Sequence, residues 1–211
     1  MKITILYDNE TAGENFVADW GFSCLIETDE RRILFDTGAK GDILFRNMAL
    51  LSIEPAEVDE VFISHSHWDH TGGLADFLKF NPCDVYIPVS CQTPSGADKI
   101  IRVNEAIKMH PNIFSTGELG DFEQSLVVRT SRGLVVVAGC SHPGVDCILE
   151  SAGRWGKVTA LIGGLHGFDS FGLIQELDWV CPTHCTQHQV EIKTRYPEKF
   201  LEGGVGRVIT L

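Results

Sequence analysis

The chain has 211 residues, of which 44% are hydrophobic and 22% are charged, and its formal net charge is −12. These proportions are typical of a folded globular protein and exclude an intrinsically disordered chain. The acidic balance, with basic residues scattered along the sequence, argues against nucleic acid and anionic membranes as partners.

Two features of the sequence bear on cellular location. The first apolar run, Ile3–Tyr7, is too short for a signal peptide, and no segment approaches the roughly 20 apolar residues of a membrane helix. The seven cysteines are an odd number, and without a secretory signal they are best interpreted as reduced thiols. We therefore expect a cytoplasmic protein with a small-molecule substrate and no membrane partner. Its oligomeric state is left open.

In the first half of the chain, short β-branched runs alternate with helical patterns. Strands are predicted at Ile3–Tyr7, Phe22–Glu27, Arg32–Phe35, Val58–Ser64 and Asp84–Val89. Helices are predicted at Asp42–Leu51, from a Thr71 cap through Leu78, and over Pro94–Met109, where three isoleucines share one face.

The second half continues this alternation. A hairpin is predicted from Ser125–Thr130 and Gly133–Ala138, followed by strands at Val158–Ile162, Trp179–Cys181 and Val205–Leu211. Helices are predicted at Val145–Ala152, Phe171–Glu176 and His188–Tyr196. Because no linker, low-complexity tract or repeat interrupts the pattern, we predict one α/β domain spanning residues 1–211.

Polar clusters occur where the predicted strands end. They lie at Asp36–Gly38, His65–His70, Cys140–His142, Gly163–His166 and Thr183–Cys185. Loops at strand ends collect at one edge of a sheet, which is a common position for an active site. The sequence therefore predicts that these clusters form one site.

The densest cluster carries metal-ligand chemistry. Between Ser64 and Gly73 the chain reads SHSHWDHTGG. Alternation in an extended segment places His65 and His67 on the same side, so that both can bind one metal. Asp69 and His70 follow at a turn and can face a second metal. Imidazole and carboxylate ligands suit zinc, iron or manganese. The alternative is a histidine-rich surface loop with no ligand role.

This segment resembles the H-x-H-x-D-H signature of the metallo-β-lactamase superfamily, and the resemblance covers nearly the whole chain. Phe35–Gly38 is similar to the first motif of that superfamily. Within it, Gly21–Glu27, Gly139–Gly144 and Pro182–Cys185 are most similar to the dihydropterin–ribofuranosylaminobenzene phosphate synthase branch. The resemblance implies an α/β fold, a four-layer αββα sandwich in which two mixed sheets pack face to face.

The resemblance also implies a ligand set and a cofactor. The first metal would be held by His65, His67 and His142, and the second by Asp69, His70 and His184. Asp36 would fix the orientation of one ligand by hydrogen bonding. The expected cofactor is zinc, as one or two ions, with iron or manganese as alternatives.

The expected activity is metal-dependent hydrolysis, or a related transfer, by metal-activated hydroxide. Asp69 would position the nucleophile and accept its proton, and His166 would donate a proton, anchor the substrate or complete the second metal site, unless it is structural. The expected substrate is a small anionic, phosphate-bearing ester, lactone or pterin. Lys40, Arg102 and Arg132 are candidates for recognising the phosphate.

Three alternatives to hydrolysis remain. A di-iron redox protein of this superfamily would carry a carboxylate where this chain has His67. A binding protein could retain the fold without catalysis, although all six ligands are present. A nuclease would need an arm or inserted domain that this compact chain lacks.

Cys140 follows Gly139 where a bridging aspartate is expected, so it is either a metal ligand or, as we favour here, a small buried residue.

Overall fold

The computed structural model describes residues 1–211 and contains 13 strands and five α-helices. The strands are β1 Lys2–Tyr7, β2 Ser23–Glu27, β3 Arg32–Phe35, β4 Glu60–Phe62, β5 Asp84–Pro88, β6 Ile100–Val103, β7 Ile107–His110, β8 Ile113–Ser115, β9 Leu126–Thr130, β10 Gly133–Ala138, β11 Val158–Gly164, β12 Trp179–Thr183 and β13 Val208–Thr210. The α-helices are α1 Gly41–Leu50, α2 Trp68–Thr71, α3 Leu74–Phe80, α4 Val145–Gly153 and α5 Gln189–Arg195, and 3₁₀ turns cover Pro55–Glu57 and Phe171–Glu176.

The strands form two mixed sheets. The first has seven strands in the order β13-β1-β2-β3-β4-β5-β6, and the second has six in the order β12-β11-β10-β9-β8-β7. Strands β3 to β6 are parallel to one another, as are β10, β11 and β12. The remaining pairs are antiparallel, including the predicted β2–β3 and β9–β10 hairpins.

The core occupies three layers between and outside the sheets. A central cluster of 17 buried residues joins the inner faces of the sheets, with Phe35 and Phe62 from the first meeting Val135 and Ile162 from the second. A second cluster packs α1 and α3 against the outer face of the first sheet. A third packs α4 and α5 against the outer face of the second sheet. The predicted four-layer αββα sandwich is therefore confirmed.

Strand alternation explains how one strand serves two layers. Ile33 and Phe35 of β3 belong to the central cluster, whereas Leu34 between them belongs to the outer cluster under α1 and α3. Successive side chains of a strand point to opposite faces, so a run of apolar residues is buried on both sides. This is why the parallel strands have continuous apolar sequences instead of an apolar–polar alternation.

Three local predictions were wrong. The predicted helix over Pro94–Met109 is replaced by β6 and β7, because its β-branched residues pair with neighbouring strands instead of forming one helical face. Strand β8 was not predicted, because a strand of only three residues is too short to show a periodic pattern. Thr71 ends α2 and its hydroxyl donates to the carbonyl of His67, so it does not cap α3.

The topology brings the strand-end loops together. Because β3 and β4 are parallel, the segments after Phe35 and Phe62 emerge at the same edge of the first sheet. The segments after β10, β11 and β12 likewise emerge at one edge of the second sheet. No helix has both the length and the apolar content that a membrane-spanning segment requires.

Candidate metal centre

A buried hydrogen-bond network begins at Asp36, directly after β3. Its carboxylate accepts from the backbone N–H of Ser64 at 2.7 Å and from the Ser64 hydroxyl at 2.6 Å. It also lies 2.7 Å from Nδ1 of His70. Because Nδ1 faces a carboxylate, Nδ1 carries the proton and Nε2 of His70 has a free lone pair. The network thus fixes both the orientation and the tautomer of this ring.

Three of the predicted ligands lie side by side after β4 and β10. Nε2 of His65 is 3.0 Å from Nδ1 of His67, and the ring centroid of His142 lies 5.0 Å and 4.9 Å from those two rings. The ring of Phe122 contacts all three, with centroid distances of 5.4, 5.0 and 5.1 Å. Nδ1 of His65 is 2.9 Å from the Ser64 hydroxyl, so a hydrogen bond to Ser64 orients this ring as well.

The other three predicted ligands form an adjacent group. A carboxylate oxygen of Asp69 lies 3.3 Å from Nε2 of His184 and 3.9 Å from Nε2 of His70. Nδ1 of His184 is 3.0 Å from the side-chain oxygen of Asn9, which follows β1. The structure therefore brings all six predicted ligands to one edge of the sandwich.

Cys140 lies between the two groups. Ligand atoms of His65, Cys140 and His142 lie within 4.8 Å of one another, and so do those of His70, Cys140 and His184. The Cys140 sulfur is 3.2 Å from Nε2 of His70. Each compact triad therefore combines two imidazoles with the same thiol.

The donor atoms fit a bound metal. Nε2 of His142 and Nε2 of His184 are buried and make no hydrogen bond, and the His184 side chain is completely inaccessible. Because Nδ1 of His184 faces the Asn9 oxygen and carries the proton, Nε2 presents a lone pair to the Asp69 oxygen 3.3 Å away and cannot donate to it. A buried polar nitrogen without a partner costs about 1–3 kcal/mol, and a coordinated cation would supply the missing partner. Nitrogen and sulfur donors within this distance suit zinc, iron or cobalt better than magnesium or calcium.

Two buried carboxylates that the sequence analysis missed hold the ligand-bearing loops. Glu123 accepts the backbone N–H groups of Gly139, Cys140 and Ser141 on one oxygen, at 2.9 to 3.1 Å, and that of His142 on the other, at 2.9 Å. Burial raises the pKa of Glu123, and these hydrogen bonds offset part of the increase.

Asp8 does the same for the other group. It accepts the backbone N–H groups of His184 at 2.9 Å and Gly204 at 3.0 Å. Burial raises the pKa of Asp8, and the bond from His184 acts in the opposite direction. The only signal in the sequence is an acidic residue beside an apolar strand, which is too common to identify either residue.

Backbone strain is concentrated at the site. Six non-glycine residues have positive φ, and four of them, Asp36, Ser141, His166 and His184, belong to these loops. Such conformations cost about 1–3 kcal/mol each and persist only where the surroundings enforce them. Gly139 shows how closely the loops approach, because a Cβ atom there would lie 2.2 Å from the Ser64 hydroxyl oxygen.

The histidines have the protonation state that metal ligands need. Burial holds the pKa of His65 and of His70 well below the usual range, and burial lowers the pKa of His142 to about 4. These rings are therefore neutral at pH 7, the form that binds metal. Burial alone would raise the pKa of Asp69, but the neighbouring imidazoles of His184 and His70 outweigh it and lower that pKa.

The remaining predicted site residues are placed as follows. His166 is exposed beside the centre, with its ring centroid 5.1 Å from that of His142. Lys40 forms an ion pair with Asp19 at 2.8 Å. Arg102 donates to the carbonyls of Val89 and Cys91. Arg132 immediately precedes β10, so it lies at the end of that strand opposite the site, where its guanidinium stacks over the ring of Trp179.

A cavity of about 570 Å³ opens beside the histidine motif. It is lined by Ser66, Trp68 and Thr71 from the motif and by residues 90–95 from the loop after β5. None of its lining side chains is charged. Trp68 is 63% exposed, so its ring is available to a ligand. The cavity is therefore suited to an uncharged group with apolar and hydroxyl-bonding surface.

Comparison with known proteins gives three findings. The family model described as the metallo-beta-lactamase superfamily matches residues 21–148. The chain is 28% identical to the 7,8-dihydropterin-6-methyl-4-(beta-D-ribofuranosyl)-aminobenzene-5'-phosphate synthase of Methanocaldococcus jannaschii, over 94% of this chain and 92% of the relative. It is 26% identical to Tm1679, a metal-dependent hydrolase of the β-lactamase superfamily, over 100% and 99% of the two chains, with a TM-score of 0.81.

A more distant structure shares the fold. Zn²⁺-bound PqqB from Methylobacterium extorquens superposes over 100% of both chains with a TM-score of 0.68 at 14% identity.

Proposed function

Because the chain belongs to the metallo-β-lactamase superfamily, we propose that it is a metal-dependent hydrolase with a binuclear, zinc-preferring centre. The main support for this proposal is that Nε2 of His142 and Nε2 of His184, one in each histidine group, are buried without a hydrogen-bond partner. The description of Tm1679 as a metal-dependent hydrolase supports the same reaction class. The ligands that we assign are His65, His67, His142, Asp69, His70 and His184.

Divalent cations in such a centre acidify water and polarise a carbonyl or phosphoryl oxygen. The protein then has to orient the water and move protons. Asp69 is suited to orient this water and to take up its proton, because its lowered pKa keeps the carboxylate ionised and one of its oxygens lies 3.3 Å from His184 and 3.9 Å from His70. His166 is exposed beside His142, where it can donate a proton to a leaving group. Phe122 packs against the rings of the first group, of which His65 is buried and His67 is exposed to solvent at the mouth of the centre.

The proposed substrate is small and has two parts. Its reacting ester, lactone or phosphoester group would lie at the centre, where metal charge offsets the acidic net charge of the chain. An uncharged, planar portion would occupy the cavity against Trp68. An anionic substrate would be held mainly by the metals, since Lys40 and Arg102 are engaged elsewhere. All seven cysteines are unpaired, which supports a reducing, cytoplasmic location.

Metal analysis and a substrate panel test this proposal. The purified chain should contain zinc or iron and hydrolyse at least one member of a panel of aryl esters, lactones and phosphodiesters. Chelation should remove this activity and zinc should restore it. The double variant His65→Ala/His142→Ala should lose both metal and activity, whereas the control His188→Ala should retain both. Full metal loading in the double variant would refute the ligand assignment.

A second candidate function is group transfer, favoured by the name of the synthase from Methanocaldococcus jannaschii. The same centre would then deliver the activated group to an acceptor other than water. Reaction in ¹⁸O-labelled water distinguishes the two functions. Label in the product identifies hydrolysis, whereas turnover without label identifies transfer.

A further inference from the structure

The sulfur of Cys140 is the ligand atom common to both histidine triads of the centre. Against the expectation from sequence that Cys140 is only a small buried residue, we infer that it binds both metals as a bridging thiolate, which makes the centre selective for thiophilic cations. This inference rests on the proposed metal centre and adds to it a seventh ligand that determines which cation is bound.

The position of the sulfur supports a bridge. Its ligand-atom distances are within 4.8 Å in the triad with His65 and His142 and also in the triad with His70 and His184. Asp69, the carboxylate ligand that we assign, lies against His184 and His70. Cys140 is therefore the side chain that offers one donor atom to both groups.

The surroundings hold the sulfur in this position. The backbone N–H of Cys140 donates to Glu123 at 2.9 Å, and the same carboxylate fixes the residues on either side. The Cys140 side chain is buried, so it is directed into the protein and not into solvent. A loop held at four successive N–H groups cannot move the backbone of Cys140 away from the histidines without breaking buried hydrogen bonds.

An independent observation points to a ligand between these groups. Nε2 of His184 belongs to a side chain with no accessible surface and makes no hydrogen bond. In the other triad, Nε2 of His142 is also buried without a partner. A thiol packed between two unsatisfied imidazoles is unfavourable unless a cation joins them, because each buried nitrogen needs a partner.

Metal binding by Cys140 requires the loss of its thiol proton but no change of oxidation state. Nε2 of His70, whose Nδ1 proton is directed at Asp36, is free to accept the thiol hydrogen at 3.2 Å. On metal binding the S–H bond of Cys140 breaks, its proton passes to bulk water, and sulfur–metal bonds form. Contact with Cys185 and burial raise the pKa of the free Cys140 thiol, but a coordinating thiol is deprotonated by the cation itself.

A bridging thiolate has a consequence for metal selection. Thiolate ligands favour zinc, iron and cobalt over magnesium, manganese and calcium, which prefer oxygen. Replacing Cys140 by serine should therefore lower zinc affinity by about 100-fold or more, since even residues outside the ligand set cost 10- to 100-fold. The preference for zinc over manganese should fall in parallel.

Cobalt spectroscopy on the full chain tests the inference. Cobalt-loaded protein should show a near-ultraviolet thiolate-to-cobalt charge-transfer band. Cys140→Ser should lose the band while still binding cobalt through the histidines. The matched control Cys185→Ser removes a neighbouring thiol that belongs to neither triad and should retain the band. A band that persists in Cys140→Ser, or is absent from cobalt-loaded wild type, overturns the bridge and leaves the histidine centre intact.

X-ray absorption on unmodified protein covers the case in which Cys140→Ser does not fold. The zinc-loaded wild type should show a sulfur shell at about 2.3 Å, the usual zinc–sulfur distance. A zinc site with only nitrogen and oxygen neighbours overturns the inference but not the proposed function. Failure of the wild type to bind cobalt or zinc at all overturns both.

Discussion

Substitution of Glu123 by glutamine tests how the ligand loop is held. Glu123 accepts four backbone N–H groups from residues 139–142 and is 1% exposed. Glutamine has nearly the same shape but offers one acceptor oxygen and one NH₂ group. If that oxygen serves the first three donors, the NH₂ group faces the N–H of His142. The backbone N–H of His142 and the new NH₂ group are then both buried donors without an acceptor.

The expected loss of stability follows from these contacts. The two unsatisfied buried donors cost about 1–3 kcal/mol each, and each of the other three bonds loses about 1 kcal/mol when its acceptor becomes neutral. Removing the buried charge offsets more than half of this cost, because a buried ion carries a desolvation penalty of several kcal/mol. We expect a net decrease in the free energy of unfolding of about 2–4 kcal/mol. Zinc affinity should fall about 10- to 100-fold, the usual effect of losing a residue that orients ligands.

Urea unfolding of the metal-free protein and competition with a chromophoric chelator measure the two effects. Glu118→Gln is a matched control, because Glu118 also accepts backbone N–H groups, those of Val89 and Ser90, but in a region where water can replace it. The control should lose under about 1 kcal/mol and retain its zinc affinity. Changes in stability and zinc affinity in Glu123→Gln that are no larger than those in the control would show that Glu123 does not hold the ligand loop.

Asp69→Asn should lower kcat by about 100-fold or more, the scale of a general base, while the exposed control Asp76→Asn should not, and equal turnover in the two would contradict the role. The metal-free protein should lose stability as the pH falls from about 6.5 to about 4, because the fold lowers the pKa of His142 to about 4 and so holds its ring neutral, whereas the unfolded chain takes up the proton. A midpoint of urea unfolding that does not change with pH in that window would contradict this burial effect. Cys147 is the exposed thiol among the seven cysteines and Cys185 is half-buried, so the fastest-reacting thiol of the wild type should be lost in Cys147→Ser when a disulfide reagent is added, and an unchanged fast phase would contradict the assignment. Trp68→Ala should raise KM for aryl substrates more than it lowers kcat, and an unchanged KM would exclude the cavity as a binding site.

The features that could be predicted are those encoded locally. The β2–β3 hairpin follows from two apolar runs joined by Thr28–Arg31, and the structure confirms it. The motif from His65 to His70 places four donor side chains within six residues, so their proximity follows from covalent geometry. The resemblance to a known superfamily predicted that His142 and His184 belong to the same site, and the structure places their rings beside those of His65 and His70.

The features that could not be predicted depend on contacts distant in sequence. Asp8 binds the backbone of His184 across 176 positions, and Glu123 binds residues 139–142 across 16 to 19 positions. Neither spacing is periodic, so neither leaves a local signal. The helix wrongly predicted over Pro94–Met109 failed for the same reason, because pairing of Ile101 with Tyr86 in the neighbouring strand overrides the local pattern.

Anomalous diffraction from zinc-loaded crystals, measured on both sides of the zinc absorption edge, tests the central claim most directly. We expect two zinc peaks, one beside His65 and His142 and one beside His70 and His184, with the Cys140 sulfur next to both. Crystals that contain zinc by elemental analysis but show no peak at either histidine group would contradict it.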